Sequence, residues 1–106
     1  MNKLGIEPVS EERITIDVLD NPNGVVIKFT GDIDMEDPSI ILDALFEKIH
    51  TGVLENNFKE VTADFRELNF LNSSGIKAVA KWIMTLSEVN DTQIYIIKIV
   101  HNSIGY

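Results

Sequence analysis

The sequence predicts an α/β domain on a mixed β-sheet, with an antiparallel first hairpin, then parallel β-α-β crossovers, and helices packed against the sheet. Three observations predict it. An Asn21-Pro22-Asn23-Gly24 turn separates two strand-like runs, two amphipathic helical segments follow, and each helix leads into another strand-like run. The resulting order is β-β-α-β-α-β, and each later β-α-β step is expected to be a right-handed parallel crossover.

Ile14, Ile16 and Val18 alternate with Thr15 and Asp17, the period of a half-buried strand. In the turn, Asn and Gly tolerate positive φ and Pro presets its own. Val25 to Thr30 is a β-branched run that completes the hairpin. Gly31 to Glu36 reads as an Asp-rich loop. Asp37 before Pro38 reads as an N-cap followed by the residue best suited to the first helical position. Ile41, Leu45 and Ile49, with Leu42 and Phe46 beside them, predict an amphipathic helix to about His50, with Gly52 as its terminator.

Val61, Ala63 and Phe65 alternate with Thr62 and Asp64, which predicts a third strand over 59–65. Leu68, Phe70 and Leu71 then pin a connection onto the core. Ser73-Ser74-Gly75 opens a second helix with Ile76, Val79, Ala80 and Ile83 on one stripe. Trp82 falls off that stripe, on a face with Ala78 and Leu86, where it serves either as core edge or as an interface anchor. Gln93 to Val100 is nearly all apolar, as expected of a strand covered on both faces. Residues 1–12 read as a flexible polar lead-in to a single domain over 13–106.

The chain has 106 residues, 17 acidic and 9 basic, for a formal net charge of −8. That balance disfavours nucleic acid and anionic membrane as partners, because both are bound through clustered Lys and Arg. No cysteine is present, so disulfides and thiolate metal sites are excluded. The N-terminal residues lack the apolar run of a signal peptide, and no apolar stretch approaches the roughly 20 residues needed to span a bilayer. The reading is a soluble, cytoplasmic protein. The acidic cluster from Asp32 to Asp37 lacks the alternate-residue spacing and Gly of an EF-hand loop, so no metal is expected. No cofactor motif is present.

Two segments fall at the carboxyl ends of predicted strands, where open α/β sheets place functional groups. They are Gly31-Asp32-Ile33-Asp34 and Leu71-Asn72-Ser73-Ser74-Gly75-Ile76. Parallel crossovers bring both to one edge of the sheet. With these residues the sequence resembles the STAS family, the anti-anti-sigma factors of bacterial partner switching. The family's Gly-Glu-Leu-Asp loop has its counterpart in Gly31-Asp32-Ile33-Asp34. Its Asp-Ser-Ser/Thr-Gly signature, with the hydrophobic lead-in, has its counterpart in Leu68 to Gly75.

The resemblance implies that Ser73 is phosphorylated by a dedicated serine kinase that is also an anti-sigma factor. It implies that Asp34 lies beside Ser73 and helps position it, and that a PP2C-type phosphatase resets the switch. Asp32, Asn72, Ser74, Gly75 and Lys77 complete the partner-binding loop. Asn72 stands where the family has Asp, keeping the shape and the hydrogen-bonding oxygen but not the charge. A phosphoserine adds about −1.5 to −2 charge. A helix N-terminus accommodates it, while the acidic edge formed by Asp32, Asp34, Glu36 and Asp37 turns the added charge against an acidic or apolar partner face.

Plainer roles stand beside these. Ser73 and Ser74 are ordinary helix-capping residues, Asp34 suits an Asx-turn, and Lys77 with Lys81 suits a solvated helix face. Gly75 either admits a partner or relieves crowding at the helix start. A non-phosphorylated STAS scaffold is the alternative reading, favoured by Asn72. An enzyme is not expected. Ser73, a His and an Asp make a triad in name only, since His50 ends the first helix, His101 follows the last strand and no Gly-x-Ser-x-Gly is present. The family normally continues into a C-terminal helix, whereas His101 to Tyr106 alone follow the last strand here. A domain that ends there leaves Ile94 and Ile96 exposed for a homodimer or for partner docking, whereas in a fragment of a longer chain that exposure is an artefact.

Overall fold

A computed structural model describes residues 2–11 and 13–102. Five strands form one sheet in chain order: β1 (Val9–Glu11), β2 (Ile14–Asn21), β3 (Gly24–Ile33), β4 (Glu60–Leu71) and β5 (Ile96–Val100). The first three pair antiparallel and the last three parallel, the mixed sheet the sequence predicts. Helices α1 (Ser39–Glu55) and α2 (Ser73–Thr85) make the two crossovers. Both crossovers advance one strand in the same direction, so connections of one hand leave both helices on one face. One core joins Ile14, Ile16 and Val18 of β2, Val25, Ile27 and Phe29 of β3, Val61 and Ala63 of β4, and the buried sides of both helices.

The hairpin forms around the expected turn. Asn21 and Gly24 close a two-residue loop, and Asn21 Oδ1 accepts the Asn23 N–H at 2.9 Å. Neither Asn23 nor Gly24 takes a positive φ. An Asx-turn and the fixed proline φ make this turn, rather than a left-handed backbone.

The lead-in is not loose where the structure describes it. Val9–Glu11 adds β1 to the sheet edge, and Ile6 is buried in the core. Asn2 organises the segment: its Oδ1 accepts the Leu4 and Ile6 N–H groups, and its Nδ2 donates to the Ile6 and Val18 carbonyls. Leu4 in turn packs where a Cβ on Gly52 would lie, 2.8 Å away. Gly52 therefore admits Leu4 and does not end α1, which runs on to Glu55. The helix stops at Asn57, whose φ is 54°, with Phe58 N–H bonded to Val53 O at 3.1 Å and Asn57 N–H to Leu54 O at 3.3 Å. These are the two bonds of a Schellman motif, with Asn in the position Gly usually takes. At its start α1 is capped by buried Pro38 without a side-chain bond, and Asp37 accepts the Ser39 hydroxyl instead.

Two segments expected as loops are strand. β3 runs through Gly31 and Asp32 to Ile33, and β4 through Leu68 to Leu71. Their pairing shifts register between Lys28 and Thr30 and again between Gly31 and Asp32. Each irregularity interrupts the period-2 alternation on which strand recognition depends. Leu68 and Leu71 pack on the core as expected, whereas Phe70 points to solvent.

The second helix buries a different face from the one its apolar stripe marks. Gly75, Ala78 and Trp82 are buried, Trp82 at 3% exposure, while Ile76 and Ile83 are exposed. Ring stacking fixes this choice: Trp82 lies 4.6 Å from Phe46 of α1 with the planes 4° apart, and its Nε1 donates to Tyr95 Oη at 3.0 Å. β5 begins at Ile96 and is not covered on both faces, since both helices share one side. Ile96 is 67% exposed at this edge of the sheet, and Ile94 and Ile99 are exposed as well. Residues 103–106, on which the expectation about a C-terminal helix bears, lie outside the described residues. Among the described residues no helix is long and apolar enough to cross a membrane.

Candidate functional site

The parallel pairing of β3 with β4 brings the two motifs together. Ile33 lies in register with Leu71, so the chain leaves β3 as Asp34-Met35 directly beside Asn72-Ser73 leaving β4. Asn72 ties the two exits together. Its N–H bonds Ile33 O at 3.0 Å, its Nδ2 donates to Met35 O at 2.8 Å, and its Oδ1 accepts the Gly75 N–H at 2.9 Å. Asn72, not Ser73 or Ser74, is thus the N-cap of α2, holding the third N–H of the helix in the usual N-cap geometry.

That clamp uses the one feature Asp lacks. An Asp at 72 keeps the cap bond and adds charge at the helix N-terminus, worth about 0.3–1 kcal/mol. It also sets a carboxylate oxygen against the Met35 carbonyl in place of a donor, which costs about 1–3 kcal/mol. The second effect wins. Asn72→Asp is expected to lower stability by about 1 kcal/mol at pH 7 in urea unfolding, with faster amide exchange just after Ile33. Equal or higher stability would show that the bond to Met35 contributes nothing.

Gly75 is buried for packing. A Cβ there would lie 2.5 Å from Leu71 Cδ1 and 3.1 Å from Ile33 Cγ2, so the helix start sits directly on the ends of β3 and β4. Crowding, rather than access for a partner, explains the glycine. Ser73 is exposed at the first position of α2, and Ser74 is half-buried at the second. Neither hydroxyl has a side-chain partner among the described residues. Ser74 and exposed Lys77 line a shallow groove with Asp37, Ser39 and Asp43 of the opposite wall. Lys81, one turn beyond Lys77, bonds Asp43 at 3.3 Å across it.

The acidic pair of the first loop is held by a residue the sequence reading missed. Arg13 reaches Asp32 Oδ2 at 3.0 Å and Asp34 Oδ2 at 2.9 Å, one guanidinium nitrogen to each. Asp34 is bonded to Arg13 and not to Ser73. The backbone locks the arrangement, because Asp32 N–H bonds Arg13 O at 2.8 Å. Gly31 makes that approach possible: its φ is +108°, and a Cβ there would lie 2.1 Å from Arg13 O. The signal was available in the turn. Pairing outward from Asn21 and Gly24 sets Ile14 opposite Gly31, and the next step sets Arg13 opposite Asp32.

The histidines lie elsewhere. His50 Nδ1 meets Tyr95 Oη at 2.8 Å. Trp82 Nε1 donates to the same oxygen at 3.0 Å. Burial raises the Tyr95 pKa above its ordinary value. His101 Nδ1 faces the carbonyl of Asn102. Among the described residues neither His is hydrogen-bonded to a serine. On the helix-free face of the sheet, buried Asp64 is held by Arg66 through a fork of 2.9 and 2.8 Å, which keeps its carboxyl below the usual carboxylate range. The floor between α1 and α2, lined by Phe46, His50, Ala78 and Trp82, opens as a groove of about 240 Å³.

No protein-family model and no curated protein matches the sequence. Solved structures do match. One is an anti-sigma factor antagonist from Mycobacterium paratuberculosis, with TM-score 0.58 and 22% identity over 85% of this chain and 68% of that one. Another is the STAS domain of an antisigma-factor antagonist from Rhodobacter sphaeroides, with TM-score 0.59 and 12% identity over 86% of this chain and 89% of that one. At these identities what is shared is the fold: the mixed sheet, antiparallel then parallel, with its two crossover helices gives this chain the fold of the STAS domain.

Proposed function

We propose that the chain is an anti-sigma factor antagonist, a non-catalytic partner-switching module of the bacterial cytoplasm. Its partner is an anti-sigma factor that is also a serine kinase, and a PP2C-type phosphatase restores the unmodified form. The observation that carries this reading is Ser73, exposed at the first turn of α2, with the Asp32–Asp34 loop clamped beside it through Asn72. In the modifying step, Ser73 Oγ forms a bond to the γ-phosphorus of a nucleoside triphosphate held by the kinase. The bridging bond to the β-phosphate breaks, the diphosphate leaves and the hydroxyl proton passes to a kinase base. The backbone N–H groups of α2 then face the new anion, so the fold tolerates it. The partner, facing an edge that already carries Asp34, Glu36 and Asp37, is repelled.

Asn72 favours a second reading, a constitutive scaffold. It preserves the loop geometry without supplying the carboxylate found in the family pattern. The two readings separate on paired baits, Ser73→Ala and Ser73→Asp, used in lysate of the native cells. The switch predicts that Ser73→Ala retains an ATP-binding anti-sigma factor at least tenfold better than Ser73→Asp. Equal retention by both baits points to the scaffold.

A further inference from the structure

The Arg13 bridge lies at the edge where Ser73 is exposed, and neither the motifs nor the fold accounts for it. A cation that spans two carboxylates is already shaped and oriented for an anion with several oxygens, because a planar guanidinium fork matches carboxylate and phosphate alike. Its position is fixed twice, by the Asp32 N–H bond to its own carbonyl and by the close approach that Gly31 allows. Asp34, on which one arm rests at 2.9 Å, lies between Ile33 and Met35, the two residues whose carbonyls bond Asn72. Ser73 is the next residue. Arg13 precedes β2 and Ser73 follows β4, the strands on either side of β3, so two spacings of about 4.8 Å separate their backbones, a gap that the long arginine and a phosphoseryl side chain close by reaching toward each other over Asp34.

We propose that Arg13 is the phosphate acceptor of the switch: it bridges Asp32 and Asp34 in the unmodified protein and transfers to the phosphate once Ser73 is modified. This rests on Ser73 being the modified residue and adds a consequence for its surroundings. A phosphate carries about −1.5 to −2 charge against −1 for each carboxylate, so it outcompetes Asp34 for the same cation. Losing Arg13 unmasks Asp32 and Asp34, so the charge the phosphate adds reaches a partner partly as bare carboxylates of the loop, while the phosphate itself is covered by the guanidinium. Arg13 acts as a positioning residue: it changes what the phosphate does to the loop without touching a substrate.

The test uses full-length protein with phosphoserine installed at position 73 during synthesis, so it holds whether or not cells modify that residue. A phosphorus NMR titration follows the second ionisation of the phosphate in the wild-type background, in Arg13→Gln and in Asp34→Asn. Transfer of Arg13 predicts that the phosphate of Arg13→Gln ionises about one pH unit higher than that of the wild type. It predicts that Asp34→Asn, which removes the competing carboxylate, ionises lower than the wild type. Coincident titrations in all three proteins would overturn the proposal, as would a shift confined to Asp34→Asn. Should Arg13→Gln fail to fold, the comparison of wild type with Asp34→Asn in 0.02 and 0.5 M salt decides. A wild-type phosphate whose ionisation does not move with salt, and matches that of Asp34→Asn throughout, has no guanidinium on it.

Discussion

Gly31→Ala is expected to cost the protein about 3–5 kcal/mol, from backbone strain at a disfavoured φ, a clash with the neighbouring strand and loss of a backbone bond. Two effects act at one atom. At a φ of +108° an L side chain is strained wherever it points, and the new Cβ would stand 2.1 Å from the Arg13 carbonyl. The strand junction must move apart, and the Asp32 N–H to Arg13 O bond of 2.8 Å breaks with it. For a domain of this size such a loss lowers Tm by roughly 12–30 °C. The measurement is thermal and urea unfolding followed by circular dichroism. A second readout separates this account from a general packing defect: residual folded protein should show faster amide exchange at Asp32 than at Ile27, five residues away on β3. A variant as stable as the wild type would show that Arg13 does not approach β3 as described.

Trp82→Ala carries the other large effect, about 3–5 kcal/mol for removal of a buried aromatic side chain. The indole is stacked on Phe46 at 4.6 Å and donates to Tyr95 Oη at 3.0 Å, so its loss opens a cavity and leaves the buried tyrosine with one partner fewer. Trp82→Phe keeps the stack and removes only the donor, and is expected to cost about 1–2 kcal/mol. Denaturant unfolding by circular dichroism gives both values, since Trp82 is the sole tryptophan and the variants lack its fluorescence. The pair also decides between the two roles open to this residue in sequence. An interface anchor would leave stability unchanged and weaken binding alone.

The contrast at Trp82 shows what the sequence conveys and where it stops. The hairpin was legible because Asn21-Pro22-Asn23-Gly24 encodes its turn locally, and the turn then fixes the register of every pair out to Ile14 and Gly31. The core side of α1 was legible because one face alone carries Leu42, Leu45, Phe46, Ile49 and Val53. α2 is apolar on more than one side, and its buried side is the one of small residues, Gly75 and Ala78, closed by a single large ring. Small residues give little hydrophobic signal, yet they are what lets a helix settle closely onto a sheet. Which side they mark depends on Leu71, Ile33 and Phe46, which lie far away in sequence. The length of β3 and β4 was hidden for another reason. Register shifts at Thr30 and Asp32 break the alternation that marks a strand, and they do so beside the site.

At the site itself, the sequence marks the two motifs and the edge they share, but not their bonding. Sequence spacing places Asp34 and Ser73 at the same edge but cannot say that Asp34 is held by Arg13, nor that Asn72 takes the cap and the loop together. Both follow from hydrogen-bond donors. An Asn brings an N–H group that an Asp does not, and an Arg one step from a hairpin pair brings a fork to whatever acid stands opposite.

The central claim is that Ser73 is a reversibly phosphorylated switch residue. Its most direct test is the intact mass of the protein isolated from its native cells, with fragmentation to locate any phosphate. The account predicts a fraction of molecules carrying a single phosphate on Ser73, and a fraction that changes with growth state or stress. An unmodified Ser73 in every condition, with a partner still co-purifying, would contradict the switch and leave a constitutive binding module.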